Sequence, residues 1–381
     1  PSVYTVRTVS FVLRGVMLIN RQAWTFSPLP ALLFTAFGFV SQPASADSVP
    51  SLSADITAEL QYENGVGPDS AAPQSDFLFA TIEVGLSAAL SENFGIESVI
   101  LMEAVDDPPA GENLVLEKQG VFAEEVMLAY HGDTWSMHAG KFNTAFGTGW
   151  DLGAGIWGVD FAEDYEVTEK LGLAATRTFA SETSGQHTLY GSVYRADRSF
   201  LSGSLIEDRG RLRLADGGTT NTKDFESYTV SLTGEDILGM GGLGYHLAYR
   251  SHAHGDADLN AVREDGFAAS LFGVVPIGGL EIEAMTEGAY INNAEGSFDD
   301  ISYLTLGGTA YFADSWNAAL SVTFRTTHVE GGADTKDHRF QATTGYAWDS
   351  GISLDFGYRY SREDGTSDHV LGFLMAYAFS I

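Results

Sequence analysis

The sequence predicts an all-β chain that closes into a transmembrane antiparallel β-barrel of about sixteen strands. Three observations predict this fold. Apolar and polar residues alternate along many short segments, charged residues occupy polar positions of those segments, and short and long connections alternate between them. The 43 glycines against 10 prolines also suit many strands joined by turns.

The first alternating segment, 52–63, reads LSADITAELQYE. Its even-numbered positions are apolar or aromatic and its odd-numbered positions are polar or charged. An extended strand with this pattern has one dry face and one wet face. The same pattern predicts sixteen strands, at 52–63, 77–90, 95–105, 121–131, 135–143, 170–180, 187–197, 224–234, 243–252, 264–275, 280–292, 301–312, 316–328, 338–348, 352–362 and 369–381.

The polar faces of these strands carry charges that need water rather than a packed second layer of protein. In segment 316–328, Trp316 and Phe324 share one face while Arg325 lies on the other. A water-filled lumen satisfies such residues. The soluble alternatives, a β-propeller or a solenoid, need a repeat of roughly 40–50 residues that the sequence lacks. We expect the lumen wall to include Asp55, Glu59, Glu281, Glu283 and Asp355.

Connections of two lengths alternate along the chain. Those after even-numbered strands are short, whereas those after odd-numbered strands are mostly longer and acidic. Outer-membrane barrels have short periplasmic turns, long outer loops and aromatic girdles. Trp135, Trp316 and Trp348 all border short turns, as a girdle requires. The third long connection, 144–169, contains glycines and two tryptophans, and we expect it to fold into the lumen.

The chain is expected to divide into three parts. Residues 1–16 lie upstream of a natural-looking start and are predicted not to be native. Residues 17–46 have the features of a secretory signal peptide: a basic start, an apolar run and the small residues ASA at 44–46. The apolar run is too short for a transmembrane anchor. The predicted mature protein, 47–381, is a single barrel.

The charge and the absence of cysteine exclude several classes of function. The chain has 20 basic and 51 acidic residues, a net charge of −31, and no cysteine. A nucleic-acid partner needs a basic surface, so none is expected. Thiol nucleophiles, disulfides and thiolate metal sites are impossible without cysteine.

The last alternating segment ends in HVLGFLMAYAFSI, with Tyr377, Phe379 and Ile381 on one face. It resembles the C-terminal strand of Gram-negative outer-membrane proteins, which the barrel-assembly machinery recognises by alternating terminal aromatics. The family prefers a final aromatic residue, whereas Ile381 stands here. The resemblance implies integral insertion in the outer membrane after export, with outer-membrane lipid, lipopolysaccharide and the assembly machinery as partners.

The stretch VFAEEVMLAYHGDTWSMHAGKFNTAFGTGWD resembles a motif of porins of the phosphate-selective and siderophore-porin type. In those families a strand, a tight turn and a Gly-Lys/Arg-Phe…Pro-Phe-Gly segment lead into a long third loop. Ala145 replaces the proline of that motif, while the matching positions are Gly140, Lys141, Phe142, Phe146 and Gly147. The resemblance implies a porin, and a homotrimer. Phosphate selectivity in the family depends on a basic eyelet, so an acidic chain does not inherit it.

If the third loop narrows the pore, its acidic residues and basic residues of the wall form the eyelet. The loop acids are Asp151, Asp160, Glu163, Asp164, Glu166 and Glu169. The alternative is that they belong to a solvated outer loop. Arg325, Arg339 and Arg359 face water by strand parity and would stand opposite the loop acids, giving a transverse field. The orientation of Lys141 is ambiguous from parity, and it is a further candidate.

The predicted function is therefore passive diffusion of small polar solutes or a chelated metal, with a preference for cations because acids dominate. The alternatives are an outer-membrane barrel enzyme, for which no catalytic motif is found, or an adhesin without channel activity. No cofactor is expected. Asp256, Asp258 and Asn260 resemble the start of a calcium loop, but the glycine and glutamate of an EF-hand are missing, which leaves only a loose outer-loop Ca²⁺ site.

Overall fold

The computed structural model describes residues 49–66, 75–109, 111–181, 183–240, 242–255, 260–313 and 315–381. The predicted signal segment and the residues before it lie outside this part of the chain. Within it, no helix is long and apolar enough to cross a bilayer.

Strands make up most of the described chain, because each of the sixteen predicted alternating segments forms one. They are β1 (Ser51–Gly65), β2 (Asp76–Ala89), β3 (Phe94–Ala104), β4 (Leu114–Val115), β5 (Gln119–His131), β6 (Trp135–Phe142), β7 (Lys170–Ser181), β8 (Gly185–Ala196), β9 (Ser227–Glu235), β10 (Gly244–His252), β11 (Glu264–Ile277), β12 (Leu280–Asn292), β13 (Asp300–Phe312), β14 (Trp316–His328), β15 (Thr335–Ala347), β16 (Ile352–Glu363) and β17 (Thr366–Ser380). One short helix, α1 (Gly149–Leu152), and four 3₁₀ turns, Phe200–Ser202, Leu214–Asp216, Ile237–Gly239 and Ala294–Gly296, lie in the connections.

Sixteen of the strands form one closed antiparallel ring. Each pairs with its neighbours along the chain, and β1 closes the ring by pairing with β17 from Asp55↔Ser380 to Gly65↔Val370. The two-residue β4 pairs in parallel with the outer end of β2 and adds no wall strand. The predicted all-β barrel of sixteen strands is therefore confirmed.

The two faces of the wall differ as the alternation predicts. On β1, Leu52 is 72% exposed on the outer face, whereas Glu59 is 6% exposed on the inner face. On β14, Leu320 and Phe324 point outward while Ser321 is buried against other groups in the lumen. A shift of one strand by a single residue would place its charged residues on the outer face and its apolar residues on the inner face. The register of the strands is therefore strongly specified.

The predicted girdle and C-terminal residues lie on the outer face. Trp135, Trp316 and Trp348, at the short turns, are between 41% and 44% exposed. Tyr377 and Phe379 are each 40% exposed and stack on one another, with ring centroids 5.4 Å apart.

The last outer connection is shorter than the sequence analysis expected. Strands β16 and β17 continue to Glu363 and from Thr366, so only Asp364 and Gly365 join them. Both residues have positive φ, 51° and 80°. An Asp-Gly pair with two positive φ angles makes the two-residue hairpin turn that matches the twist of paired strands.

Candidate functional site

The third long connection, residues 143–169, crosses the lumen and is called the inward loop below. It leaves the wall between β6 and β7 and contacts side chains of β1, β11, β12 and β14 to β17 on the far side. Trp150, Trp157 and Tyr165 are at most 7% exposed. The loop therefore lies inside the barrel, as the sequence predicted, and narrows it.

A carboxylate on the wall holds the middle of the inward loop. Glu287 of β12, itself 1% exposed, accepts hydrogen bonds from the backbone N–H of Thr148 at 2.5 Å and of Gly149 at 2.8 Å. It also accepts the Tyr165 hydroxyl at 2.6 Å. Bonds to a charged acceptor are stronger than neutral ones. Glu287 therefore holds the start of helix α1 and the side chain of Tyr165 at one point of the wall.

The tip of the inward loop is held by Trp157. Its indole N–H donates to Glu63 of β1 at 2.6 Å, and its backbone N–H donates to Gln341 of β15 at 2.9 Å. The ring lies against Gly357 and Gly372, where a Cβ on Gly372 would come within 2.2 Å of the indole. Glycine at that position is therefore what allows the indole to lie this close to the wall.

The three predicted arginines bind the inward loop directly. Arg325 donates to Asp164 at 2.8 Å, Arg359 donates to Asp160 at 3.2 Å, and Arg339 also forms an ion pair with Asp160. Arg325 and Arg339 also contact strand acids and lie over the ring of Phe161. The expected transverse field across an open gap is thus replaced by direct ion pairs that fasten the loop.

Lys141 does not line the open lumen. Its side chain is 0% exposed and its ammonium lies 2.7 Å from Glu169 and 3.5 Å from Asp197. It also donates to the carbonyl of Ala123 at 2.6 Å. Glu169 has a second cationic partner in Arg209. These groups join β5, the end of the inward loop and the start of the loop after β8. They therefore hold these segments together and do not line the eyelet.

Five glutamates of β1, β2, β3 and β5 lie near one another on the inner side of the barrel and are called the acidic wall. They are Glu59, Glu83, Glu103, Glu124 and Glu125. Glu83 interacts electrostatically with Glu124, Glu125 and Glu59, and Glu103 interacts with Glu124. Arg209 lies near Glu103 and is itself paired with Glu169. Carboxyl groups therefore outnumber basic groups on this side of the lumen.

A β-bulge explains how two consecutive glutamates face the same way. Opposite β5, the register shifts between Val99 and Ile100, which pair with Glu125 and Ala123 and leave Glu124 as the extra residue. Glu124 and Glu125 are each 4% exposed and accept hydrogen bonds from the side chain and backbone of Asn143. Bulges commonly redirect a side chain in this way near functional sites.

The acids of the inward loop complete the acidic lining. Glu166 interacts with Glu124, Asp151 and Glu163, so the loop and the acidic wall face each other. Burial, with these charges adding to it, raises the pKa of Glu166 well above its usual range. Burial and the neighbouring Glu287 raise the pKa of Asp151 to about 7. Among the loop acids, Asp160 and Asp164 are bound by arginines and Glu169 by Lys141 and Arg209.

The other predicted residues lie as follows. Glu283 is on the inner face and accepts the Tyr311 hydroxyl at 3.0 Å, and Asp55 accepts the Ser380 hydroxyl at 2.5 Å. Asp355 and Glu281 share the inner parity of their strands. Of the weak calcium candidate, Asp256 and Asp258 lie outside the described residues, and Asn260 is exposed.

Comparisons with known proteins find similar structures among outer-membrane channels. No protein-family model matches the chain, and no curated protein matches it. It is similar to the outer membrane channel DcaP of Acinetobacter baumannii at 12% identity and a TM-score of 0.55, covering 86% of this chain and 96% of that one. It is similar to a loop L8 deletion mutant of OmpT, an outer membrane protein of Vibrio cholerae, at 11% identity and 0.53, covering 86% and 99%.

A third similar structure is Pseudomonas aeruginosa OccK2 in complex with glucuronate, at 10% identity and a TM-score of 0.52, covering 87% of this chain and 98% of that one. The chain has the outer-membrane channel fold.

Within this channel fold, sequence reasoning missed most of the acidic wall. The alternation of Thr81 and Glu83 with Ile82 and Val84 would have placed Glu83 on the inner face. The bulge at Glu124 leaves no sequence signal of that kind, because an extra residue breaks the period of two. Strand parity places Glu287 on the polar face of β12, but its role as an anchor depends on a loop far away in sequence.

Proposed function

We propose that the protein is a passive diffusion channel of the Gram-negative outer membrane that prefers cations and small polar solutes. The observation that carries the preference is the acidic wall facing Glu163 and Glu166, while the nearby arginines are engaged in ion pairs. Rings or surfaces of one charge set the selectivity of water-filled pores. The channel fold supports the passive mechanism, because a barrel of this size leaves room for water and a constricting loop.

The carboxyl groups of the lining also favour solutes other than glucuronate, the molecule bound in the OccK2 structure. Glucuronate carries a carboxylate, and the acidic wall would repel an anion approaching the constriction. We propose cations, polar neutral molecules or a positively charged metal chelate as solutes. A siderophore complex is included only if its net charge suits this lining.

Reversal potentials test the selectivity. In planar bilayers with a gradient of potassium chloride, the reversal potential should have the sign expected when K⁺ permeates more readily than Cl⁻. At alkaline pH, the double variant Glu83→Gln/Glu125→Gln should reduce the cation-to-anion permeability ratio severalfold.

A matched control removes two carboxylates from the outer face. Asp265 and Asp300 accept hydrogen bonds from Tyr249 and Tyr290 away from the lumen. The variant Asp265→Asn/Asp300→Asn should retain the selectivity of the unmodified channel. Anion preference, or equal effects of the two double variants, would contradict the proposal. A folded barrel without conductance would favour the enzyme or adhesin alternative.

We propose that the protein forms a homotrimer in contact with lipid and lipopolysaccharide and is delivered by the barrel-assembly machinery through its C-terminal strand. The outward position of Tyr377 and Phe379 supports recognition of that strand. Cross-linking in outer-membrane vesicles tests the trimer. Tyr377→Ala/Phe379→Ala should lower the amount of assembled barrel in cells.

A further inference from the structure

The lumen holds a second cluster of chemically capable side chains near the short turns, apart from the inward loop. It consists of Glu97 on β3, His131 at the end of β5 and His138 on β6. One ligand atom from each residue lies within 4.8 Å of the others. Neither strand parity nor a sequence motif brings these three residues together, because they come from three strands.

Strand pairing places the cluster. A short turn joins β5 to β6, closed by the Gly132 N–H donating to the Trp135 carbonyl at 2.9 Å. His138 pairs with Ala129 across this hairpin. On the other side of β5, β3 pairs so that Glu97 lies opposite Met127. The three side chains then share the inner face on three adjacent strands.

The distances suit coordination of a metal ion. The Nε2 atom of His131 lies 2.8 Å from Oε1 of Glu97, and Nε2 of His138 lies 3.8 Å from Oε2. The two imidazole rings are 5.7 Å apart between centroids. Tetrahedral Zn²⁺ with bonds of about 2.0–2.1 Å separates its ligand atoms by roughly 3.3 Å. Small side-chain rotations therefore convert this arrangement into a coordination sphere.

We propose that Glu97, His131 and His138 form a binding site for a divalent transition-metal ion such as Zn²⁺. Two imidazoles and one carboxylate are ligands that Zn²⁺ and its neighbours accept, and three protein ligands leave a position for water. A plain histidine–carboxylate hydrogen bond accounts for His131 alone. It does not explain why His138 also presents Nε2 to the second oxygen of the same carboxylate.

The site is reachable and lies in a favourable field. The side chains of His131 and His138 are 35% and 16% exposed, whereas Glu97 is 6% exposed and forms the floor. Glu125 of the acidic wall interacts electrostatically with Glu97. An ion can thus enter from the lumen, and negative charge beyond the ligands attracts it.

Metal binding can be measured without reference to channel selectivity, so this inference stands or falls separately from the proposed function. The full chain is refolded in detergent without a polyhistidine tag and stripped with a chelator. Zn²⁺ is then titrated in competition with a chromophoric zinc chelator. One ion should bind per chain with micromolar affinity, and excess Ca²⁺ or Mg²⁺ should not displace it, because both prefer oxygen ligands.

Variants locate the bound ion. His131→Ala, His138→Ala and the isosteric Glu97→Gln should each weaken Zn²⁺ binding by about tenfold or more. His187→Ala is the matched control, since His187 lies at the same end of the barrel, on β8, and accepts or donates a hydrogen bond with Tyr245 at 3.0 Å. It should bind Zn²⁺ as tightly as the unmodified chain.

Heat-dependent gel mobility shows which variants are folded barrels, and Glu97→Gln keeps the size of the side chain should the alanine variants fail to fold. Absence of stoichiometric Zn²⁺ binding by the unmodified barrel would overturn the proposal. So would folded His131 or His138 variants that bind Zn²⁺ with unchanged affinity.

Discussion

Glu287 on the barrel wall accepts a hydrogen bond of 2.6 Å from the hydroxyl of Tyr165 in the inward loop. The two residues are far apart in sequence and meet across the lumen. The same carboxylate accepts two backbone N–H groups of the loop, so one wall residue organises the constriction. Pore width thus depends on a polar anchor rather than on the strands alone.

Replacement of this anchor should widen the channel. Glu287→Ala removes several hydrogen bonds to a charged acceptor, each worth about 1.5–3 kcal/mol, so docking of the loop should weaken by roughly 3 kcal/mol or more. Single-channel conductance should rise and become noisier, and protease should cut the loop faster. Glu281→Ala, on the same face of β12 but exposed near its start, should affect both readouts much less. Unchanged conductance in Glu287→Ala would show that other contacts suffice.

Contact between Trp157 and the wall should depend on glycine. A Cβ at position 372 would come within 2.2 Å of the indole, so Gly372→Ala should displace the ring and shift the tryptophan fluorescence of the folded barrel. Gly288→Ala is the control, since the nearest atom to a Cβ there is 3.9 Å away. Trp157→Phe identifies the part of the signal that comes from this residue. Equal spectra for the two alanine variants would contradict the packing described here.

Deletion of Glu124 should remove charge without disturbing the barrel. The bulge makes Glu124 an extra residue, and its loss lets Ala123 and Glu125 pair regularly with Ile100 and Val99. We expect a folded barrel with a lower cation-to-anion permeability ratio, measured by reversal potential. Deletion of Ala129, in a regular part of β5, should instead reverse the faces of the adjoining strand and prevent assembly. Failure of the Glu124 deletion to assemble would mean that the bulge is needed structurally.

Selectivity should change with pH near neutrality. Burial raises the pKa of Asp151 to about 7, so this carboxyl takes up a proton as the pH falls through neutrality. A raised carboxyl pKa means that the charge is present above that pKa and absent below it. The preference for cations should therefore fall between pH 8 and pH 6, where ordinary carboxylates stay ionised. Asp151→Asn should flatten this profile in reversal-potential measurements.

A charge on the outer face should lower the stability of the barrel by an amount that depends on its depth in the membrane. Leu320 is 59% exposed in the middle of β14, so Leu320→Arg should lower the free energy of unfolding in lipid by about 2–4 kcal/mol. Thr326→Arg, on the same face but near the outer end of the strand, should cost about 1 kcal/mol or less. Denaturant unfolding in vesicles measures both. Equal costs would contradict a membrane centred on Leu320.

The sequence by itself determined the all-β class, the sixteen wall strands and the side that residues of the regularly alternating segments face, whereas it left the orientation of Lys141 and the bulge at Glu124 undetermined. Leu52 and Glu59 are placed by a period of two that acts within one strand, where water and apolar surroundings sort residues one by one. The length and glycine content of the third connection also predicted a loop inside the lumen. The residue pair Asp364–Gly365 is also typical of a two-residue hairpin turn, although the predicted strands ended at 362 and began again at 369.

Only the tertiary structure decided what the polar residues do together. The pairing of Arg339 with Asp160, the anchoring by Glu287 and the grouping of Glu97 with two histidines depend on which strands are neighbours and on where the loop crosses. The bulge at Glu124 depends on the partner strand, since a single strand does not reveal its register. Contacts between residues distant in the chain are set by closure of the ring, and no local period in the sequence encodes them.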